Sequence, residues 1–315
     1  MEKYLTTALQ GVRAASLICH SVQNQLVSED SLAKKDRSPV TVADYASQAL
    51  ICATLKQHFP QIPIVGEENA DALRLPENAA LLQKVNSFLP EMSAEEILTA
   101  IDMGNADGGD LFWTLDPIDG TKGFLRGEHY AVALALIEKG EIILGVLGCP
   151  NLAYDDATSG SLFYALRGEG AFAADFNLDK SKSIRVSSRK SGESVRFLES
   201  VEKGHANHGG QAKIMELFGD RKESVRVDSQ VKYAVLARGE AEVYLRLPKP
   251  DMPDYREKIW DHAAGVIIVE EAGGMVTDAL GAPLDFSLGR TLKNNRGVIG
   301  SNGQFHDQII ENTEI

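Results

Sequence analysis

The sequence predicts a mixed α/β protein whose two halves meet near residue 178, an α+β half over 1–178 and an α/β half over 179–315. Three observations carry this reading. The N-terminal part shows helical apolar spacing, the middle reads as consecutive short strands, and beyond the polar stretch Asn177 to Ser183 strands alternate with helical segments. Helices followed by strands and strict alternation are the patterns of two kinds of layered unit.

Each element has a local reason. Leu5, Ala8, Leu9, Val12, Ala15 and Cys19 fall on one helical face, which predicts an N-terminal helix. A second helix is expected from Val42 to Phe59 through Ala46, Ala49, Leu50 and Ala53. It should stop at Pro60, whose missing N–H cannot continue it. Ile62 to Val65 reads as a short apolar strand. Ser93 and Glu96, just before Ile97, Leu98 and Ile101, have the spacing of a capping box.

Leu111 to Leu115 reads as a strand. Ala131 to Glu138 and Glu141 to Leu147 flank Lys139-Gly140, a two-residue hairpin. Ser161 to Leu166 and Ala171 to Ala174 flank a second glycine-containing turn. In the second half strands are expected around Ile184, Val195, Val225, Val243 and Val298. Helices are expected around Ile214, Tyr233, Val266 and the C-terminus. The proline-rich loop Pro248 to Tyr255 reads as a surface excursion.

Composition excludes several classes. With 43% hydrophobic and 24% charged residues over 315 positions, the chain is neither a disordered tail nor a fibre. The net charge of −13 opposes nucleic acid and anionic membrane surfaces alike. Cys19, Cys52 and Cys149 form no CxxC pair, which argues against a disulfide framework or a thiolate zinc site. The N-terminus lacks the pattern of a secretory signal, and the longest apolar runs are too short to span a bilayer. A cytoplasmic protein without membrane or nucleic-acid partners is expected.

The densest chemistry lies in Trp113-Thr114-Leu115-Asp116-Pro117-Ile118-Asp119-Gly120-Thr121-Lys122-Gly123. A short strand delivers Asp116, Pro117 fixes the backbone and Gly120 permits a sharp turn. Two carboxylates across such a turn can converge on hard cations, which take oxygen ligands. The carbonyl of Ile118 lies between them. The alternative is a turn with two solvated aspartates. Other acids stand near element ends: Glu67 and Glu68 after a short strand, Asp44 near a helix start, and Asp261 with His262 before an apolar helix. Each alone also fits an N-cap or first-turn acid favoured by the helix dipole. Ser229 and Lys232 fit SxxK, but no SDN or KTG accompanies them. Asn105 to Gly108 resembles part of an EF-hand loop, without the closing glutamate. No Walker loop or GxSxG elbow occurs, and no GxGxxG stands between a strand and a helix.

Taken together, GEE at 66–68, DPIDGT at 116–121 and WDHAAG at 260–265 resemble the inositol monophosphatase superfamily of Mg²⁺-dependent, lithium-sensitive phosphatases. SPVTVADYASQ at 38–48, EKGHANH at 202–208, DSQVKYAVLARGEAEVYLRLP at 228–248 and EKIWDHAAG at 257–265 resemble its 3'(2'),5'-bisphosphate nucleotidase branch. The resemblance runs through nearly the whole chain in order.

It implies a five-layered αβαβα sandwich with the site between the two halves, most metal ligands in the first and the nucleotide-binding residues in the second. The metal ligands implied are Glu67, Asp116, the Ile118 carbonyl, Asp119 and Asp261, for two or three Mg²⁺ ions. Asp44 and Thr121 would hold and deprotonate the attacking water. Thr121, His205, Ser229, Lys232, Arg246 and Asp261 would contact the nucleotide. The activity implied is conversion of adenosine 3',5'-bisphosphate to AMP and phosphate, extending to 3'-phosphoadenylyl sulfate, by a monomer. The alternatives are an inositol (poly)phosphate phosphatase of the same superfamily and an inactive nucleotide-binding sensor. Loss of Asp44, Thr121 or a metal ligand would mark the sensor, and all of them are present.

Overall fold

The computed structural model describes residues 1–29, 38–201, 208–252 and 254–314. The first half begins with the long helices α1 (Glu2–Glu29) and α2 (Ser38–His58). Strand β1 (Ile64–Gly66) follows, then α3 (Ala79–Phe88) and α4 (Ala94–Asp102). The Ser93–Glu96 capping box forms at the start of α4 as the spacing predicts. Next come β2 (Leu111–Asp119), the short helix α5 (Thr121–Leu125), β3 (Ala131–Glu138), β4 (Glu141–Cys149), β5 (Ser161–Leu166), β6 (Gly170–Ala174) and β7 (Ser181–Ile184). β1 to β7 form one sheet in sequence order, with β1 parallel to β2 and every other pair antiparallel.

The second half holds β8 (Val195–Glu199), α6 (His208–Glu216), β9 (Lys222–Arg226), α7 (Val231–Ala237) and β10 (Val243–Arg246). It continues through α8 (Ala263–Glu271), β11 (Met275–Thr277), β12 (Val298–Ser301) and α9 (His306–Glu311). Its sheet runs β11-β12-β10-β8-β9. The strand around Ile184 pairs with β6, so the chain passes from one sheet to the other between Ile184 and Val195.

Five layers result. Strand periodicity sorts the side chains of β2 and β3 cleanly. Trp113, Leu115, Val132, Leu134 and Leu136 join the core under α1 and α2, while Phe112, Ala131, Ala133, Ala135 and Ile137 face the middle layer of α7 and α8. The small alanine face lets α8 lie close. At Gly145 a Cβ would stand 2.4 Å from Ile267 and 2.8 Å from the Ala264 carbonyl, so the strand carries no side chain there. A third core, with Phe197, Val243, Leu245 and Ile299 against Ile214, Phe218, Phe305 and Ile309, covers the outer face of the second sheet. The predicted hairpin at Lys139-Gly140 forms with positive φ at both residues, as a two-residue turn of that hand requires.

A candidate active site at the junction of the two sheets

The site is built where β1 and β2 end side by side. Their parallel register pairs Gly66 with Leu115, and the Glu67 amide donates to the Leu115 carbonyl at 3.2 Å, so Glu67 emerges beside Asp116. Asp119 needs a further device. In a regular strand, residues three apart point to opposite faces. Between Asp116, paired with Ala133, and Asp119, paired with Ala131, the register slips by one residue. This bulge returns Asp119 to the face of Asp116. Pro117, which has no N–H for the ladder, sits in it. Its carbonyl accepts from Ser47 Oγ at 3.0 Å, and Asp116 Oδ1 accepts from the Ile118 amide at 3.1 Å.

Helix α2 anchors both segments through one face. Gln48 donates to the carbonyls of Glu68 (2.6 Å) and Ile101 (2.9 Å) and accepts from the Glu68 amide at 3.0 Å. Asp44, Ser47 and Gln48 share that face at helical spacing. Asp44 therefore stands inside α2, beyond its first turn, and is no helix cap.

The second half closes the site. Gln230 donates its amide to Asp119 Oδ2 at 2.6 Å, and its side chain donates to the Trp260 carbonyl at 2.9 Å. Asp261 sits just ahead of α8. A cleft of about 600 Å³ lies between the halves. Glu67, Asp116, Ile118, Asp119, Thr121, Ser229, Lys232, Arg246 and Asp261 all line it. Asp44 is not part of this wall; it is buried near Glu67 and Glu68. His205 lies outside the described residues.

Electrostatics divide the cleft. Burial raises Asp116 well above the usual carboxylate range, and the charges of Glu67, Asp119 and Asp261 add to this. Burial also raises Asp261, with Asp119 and Glu67 pushing the same way and Arg246 opposing. Burial raises Asp44, reinforced by Glu68 and Glu67. Glu67 keeps solvent access at the rim, yet the protein around its carboxylate and Glu68 push it to about 7. Asp119 is raised by burial, against Lys232 and Arg246. Lys232, itself nearly buried, is held down to about 8, with its Nζ 5.5 Å over the Tyr244 ring.

Arg246, for which the resemblance implies a nucleotide contact, lines the cleft and also pairs with carboxylates. It bonds Glu257 at 2.7 Å and lies 3.7 Å from Asp261. Glu257 in turn meets His262 Nε2 at 3.2 Å, and Tyr233 meets His262 Nδ1 at 2.7 Å. Glu257, Asp261 and His262 bring three donor atoms within 4.8 Å of one another. Arg246 and Tyr233 already engage Glu257 and His262, which close into a buried network with His262 as a structural residue, while Asp261 stays half-buried on the cleft lining. Among the described residues, no three of Glu67, Asp116, Asp119 and Asp261 converge so tightly.

Sequence reasoning missed Gln48, Gln230, Glu257 and the bulge. The first three belong to segments already singled out, but a glutamine or glutamate that supports a neighbour carries no spacing signal. Pro117 inside a strand was the available sign of the bulge.

A carboxylate-lined cleft between two sheets, with cationic side chains on its second-half wall, defines a site for an anion neutralised by cations. The chain matches the inositol monophosphatase family over residues 1–315 and belongs to it. A 3'(2'),5'-bisphosphate nucleotidase of Schizosaccharomyces pombe is 43% identical, over 97% of this chain and 93% of that protein. One of Dictyostelium discoideum is 41% identical, over 99% and 96%. Among solved structures, an inositol monophosphatase from Zymomonas mobilis superposes with a TM-score of 0.67 at 20% identity, covering 100% of this chain and 98% of that one. CysQ from Bacteroides thetaiotaomicron gives 0.65 at 20%, covering 96% and 98%. These likenesses bear out the layered fold. No helix among the described residues is long and apolar enough to cross a membrane.

The crowded carboxylates set a pH dependence. Glu67 is raised on folding, so its contribution to stability is present below about 4.5 and is lost as pH rises through about 7. Cations bind the ionised form. The melting temperature in EDTA is therefore expected to fall across that window, and the gain on adding Mg²⁺ to grow across it. Below it the slope turns, because Glu257, held near 2 against the burial that opposes its charge by Arg246 and His262, loses its contribution as pH drops. Scanning fluorimetry with and without Mg²⁺ checks this; a metal-free protein that gains stability between about 4.5 and 7 would show that the carboxylates do not crowd one another.

Proposed function

We propose that the chain is a Mg²⁺-dependent 3'(2'),5'-bisphosphate nucleotidase that hydrolyses the 3'-phosphate of adenosine 3',5'-bisphosphate to give AMP and phosphate. The same step takes 3'-phosphoadenylyl sulfate to adenylyl sulfate. The observation that carries the reading is the division of one cleft into a carboxylate wall and a wall with buried Lys232 and half-buried Arg246. A bisphosphate has one reacting and one non-reacting anion, and each wall suits one of them. The likeness to nucleotidases along nearly the whole chain supports this.

The donor set fits magnesium. Glu67, Asp116, Asp119, Asp261 and the Ile118 carbonyl offer only oxygen, and three of these carboxyls are buried or half-buried where their charges repel. Their spread suits two or three ions that keep waters. Bound there, the ions would neutralise the phosphate, lower the pKa of a water and stabilise the leaving alkoxide.

The chain's own residues do the rest. Thr121, at the first turn of α5, lines the cleft, and its hydroxyl orients the attacking water. Accepting the proton falls to Asp44 on the resemblance alone; it is buried near Glu67 and Glu68, outside the cleft wall, where burial raises its carboxyl above the ordinary range. Lys232 and Ser229 hold the 5'-phosphate; the Lys232 ammonium lies over the Tyr244 ring and donates to the Ser229 carbonyl at 3.3 Å. Arg246 serves two ends, the substrate and the carboxylate of Asp261.

The test is phosphate release from adenosine 3',5'-bisphosphate, with turnover expected in Mg²⁺ and none in excess EDTA. Full turnover in EDTA would remove the reading. Substrate comparison then separates the two cations. Lys232→Ala is expected to lose about tenfold to a hundredfold in kcat/KM on the bisphosphate and much less on inositol 1-phosphate, from loss of a charge-assisted contact. Arg246→Ala is expected to lose on both, because it also leaves Glu257 and Asp261 unsupported. Equal losses for Lys232→Ala on the two substrates would place that residue at the reaction centre instead.

A further inference from the structure

Glu67 and Asp261 belong to different halves, and one side chain bridges the segments that carry them. Arg290 donates to the carbonyls of Gly66, Ala106 (3.1 Å) and Gly104 (3.4 Å), all in the first half. Gly66 immediately precedes Glu67, and Gly104 is the carbonyl that receives the Gly66 amide at 2.8 Å. The same guanidinium lies 4.8 Å over the ring of Trp260, which immediately precedes Asp261. Its backbone is rooted on the Asp261 side. The Ile259 amide donates to the Arg290 carbonyl at 3.3 Å, the Leu292 amide donates to Glu257 at 2.9 Å, and Lys258 bridges to Thr291.

The guanidinium therefore holds two things at once: a carbonyl one residue from Glu67 and a ring one residue from Asp261. A planar fork can donate along several directions while stacking by its face; an ammonium cannot do both. We propose that Arg290 is a positioning residue that fixes the separation of Glu67 from Asp261, and so the fit of the cleft to divalent cations. The proposal rests on reading these two carboxylates as cation ligands. Arg290 is set against backbone and an indole face, and it acts through both neighbours.

The test uses the full chain with Arg290→Lys and Arg290→Met, and reads Mn²⁺ binding from the free-ion electron paramagnetic resonance signal, without substrate. The Mg²⁺-induced rise in melting temperature provides a second binding readout. Outer partners of metal ligands typically tune affinity by about 10–100-fold, so both variants are expected to bind Mn²⁺ at least about tenfold more weakly and to need correspondingly more Mg²⁺ for half-maximal turnover. Arg290→Lys keeps the charge and most of the bulk, so it reports even where Arg290→Met does not fold. Unchanged Mn²⁺ affinity in Arg290→Lys overturns the clamp. So does full affinity in Arg290→Lys with loss only in Arg290→Met, since charge beside Glu67 would then be the whole effect. A wild-type chain that binds no Mn²⁺ removes the cation-site reading itself, a different result from unaltered variants.

Discussion

Asp116→Asn is expected to abolish most turnover while the protein stays folded. Asp116 stands at the centre of the cleft's electrostatics, raised by burial and by Glu67, Asp119 and Asp261 together. An amide has nearly the same shape and can still accept from the Ile118 amide, so the bulge that sets Asp119 survives. What disappears is one negative charge from the donor set. Losing a preorganised stabilising group in a phosphoryl-transfer site costs about 10²–10³ in kcat, or roughly 3–4 kcal/mol. The metal-free stability should move the other way. A carboxyl whose ionised form is disfavoured by burial and like charge destabilises the fold near neutral pH, and the neutral amide removes that penalty. The signature is thus a melting temperature in EDTA equal to or above wild type, a smaller gain on adding Mg²⁺, and collapsed kcat. Near-wild-type kcat at ordinary Mg²⁺ would show that Asp116 holds no cation.

Gly120→Ala is expected to damage both stability and activity. Gly120 has φ +95°, a conformation that L side chains rarely adopt, and a Cβ there would stand 2.7 Å from the Cβ of Ser229. Ser229 itself sits at φ 64°, so neither partner has a relaxed backbone into which to retreat. Backbone strain of this kind costs about 1–3 kcal/mol, before any displacement of the Ser229 loop. That loop carries the Gln230 amide bonded to Asp119. Chemical denaturation should show a loss of about 2–4 kcal/mol, and overpacking adds to the strain in that figure. Activity on the bisphosphate should fall by more than the unfolded fraction explains. Wild-type stability would mean that the two halves separate at this contact without cost.

How much of this was legible in the chain follows from where the information sits. Helix α1, the hairpin at Lys139-Gly140 and the Ser93 cap are written in local spacing, and the structure holds all three. β2 was read only to Leu115 because Pro117 breaks the expected pattern; the strand runs on to Asp119 through a bulge that tolerates a residue without an N–H. Local pattern brought out Asp116, Ile118 and Asp119 but left the two aspartates a solvated turn as the alternative and the other acids a capping one; the family motifs joined them to the rest of the nine cleft residues. Arg246 shows the limit. A cation in a strand does not announce that it also meets a carboxylate, and the Glu257 that pairs with Arg246 stands eleven positions along the chain. Arg290 and Gln230 were invisible for the same reason, since the partners of their side chains are backbone carbonyls and amides brought close only by the fold.

The bond from Arg290 to Gly66 closes a loop of 224 residues. Contacts of such long sequence separation form late, after the chain entropy of both halves has been lost. The cleft should thus be absent from the folding transition state and present only in the finished molecule. A divalent cation would then leave the refolding rate nearly unchanged and slow unfolding instead, because it binds a constellation that the climbing chain has not yet assembled. In a cell, the ion would act as a latch on persistence, lengthening the lifetime of completed molecules without hastening their birth.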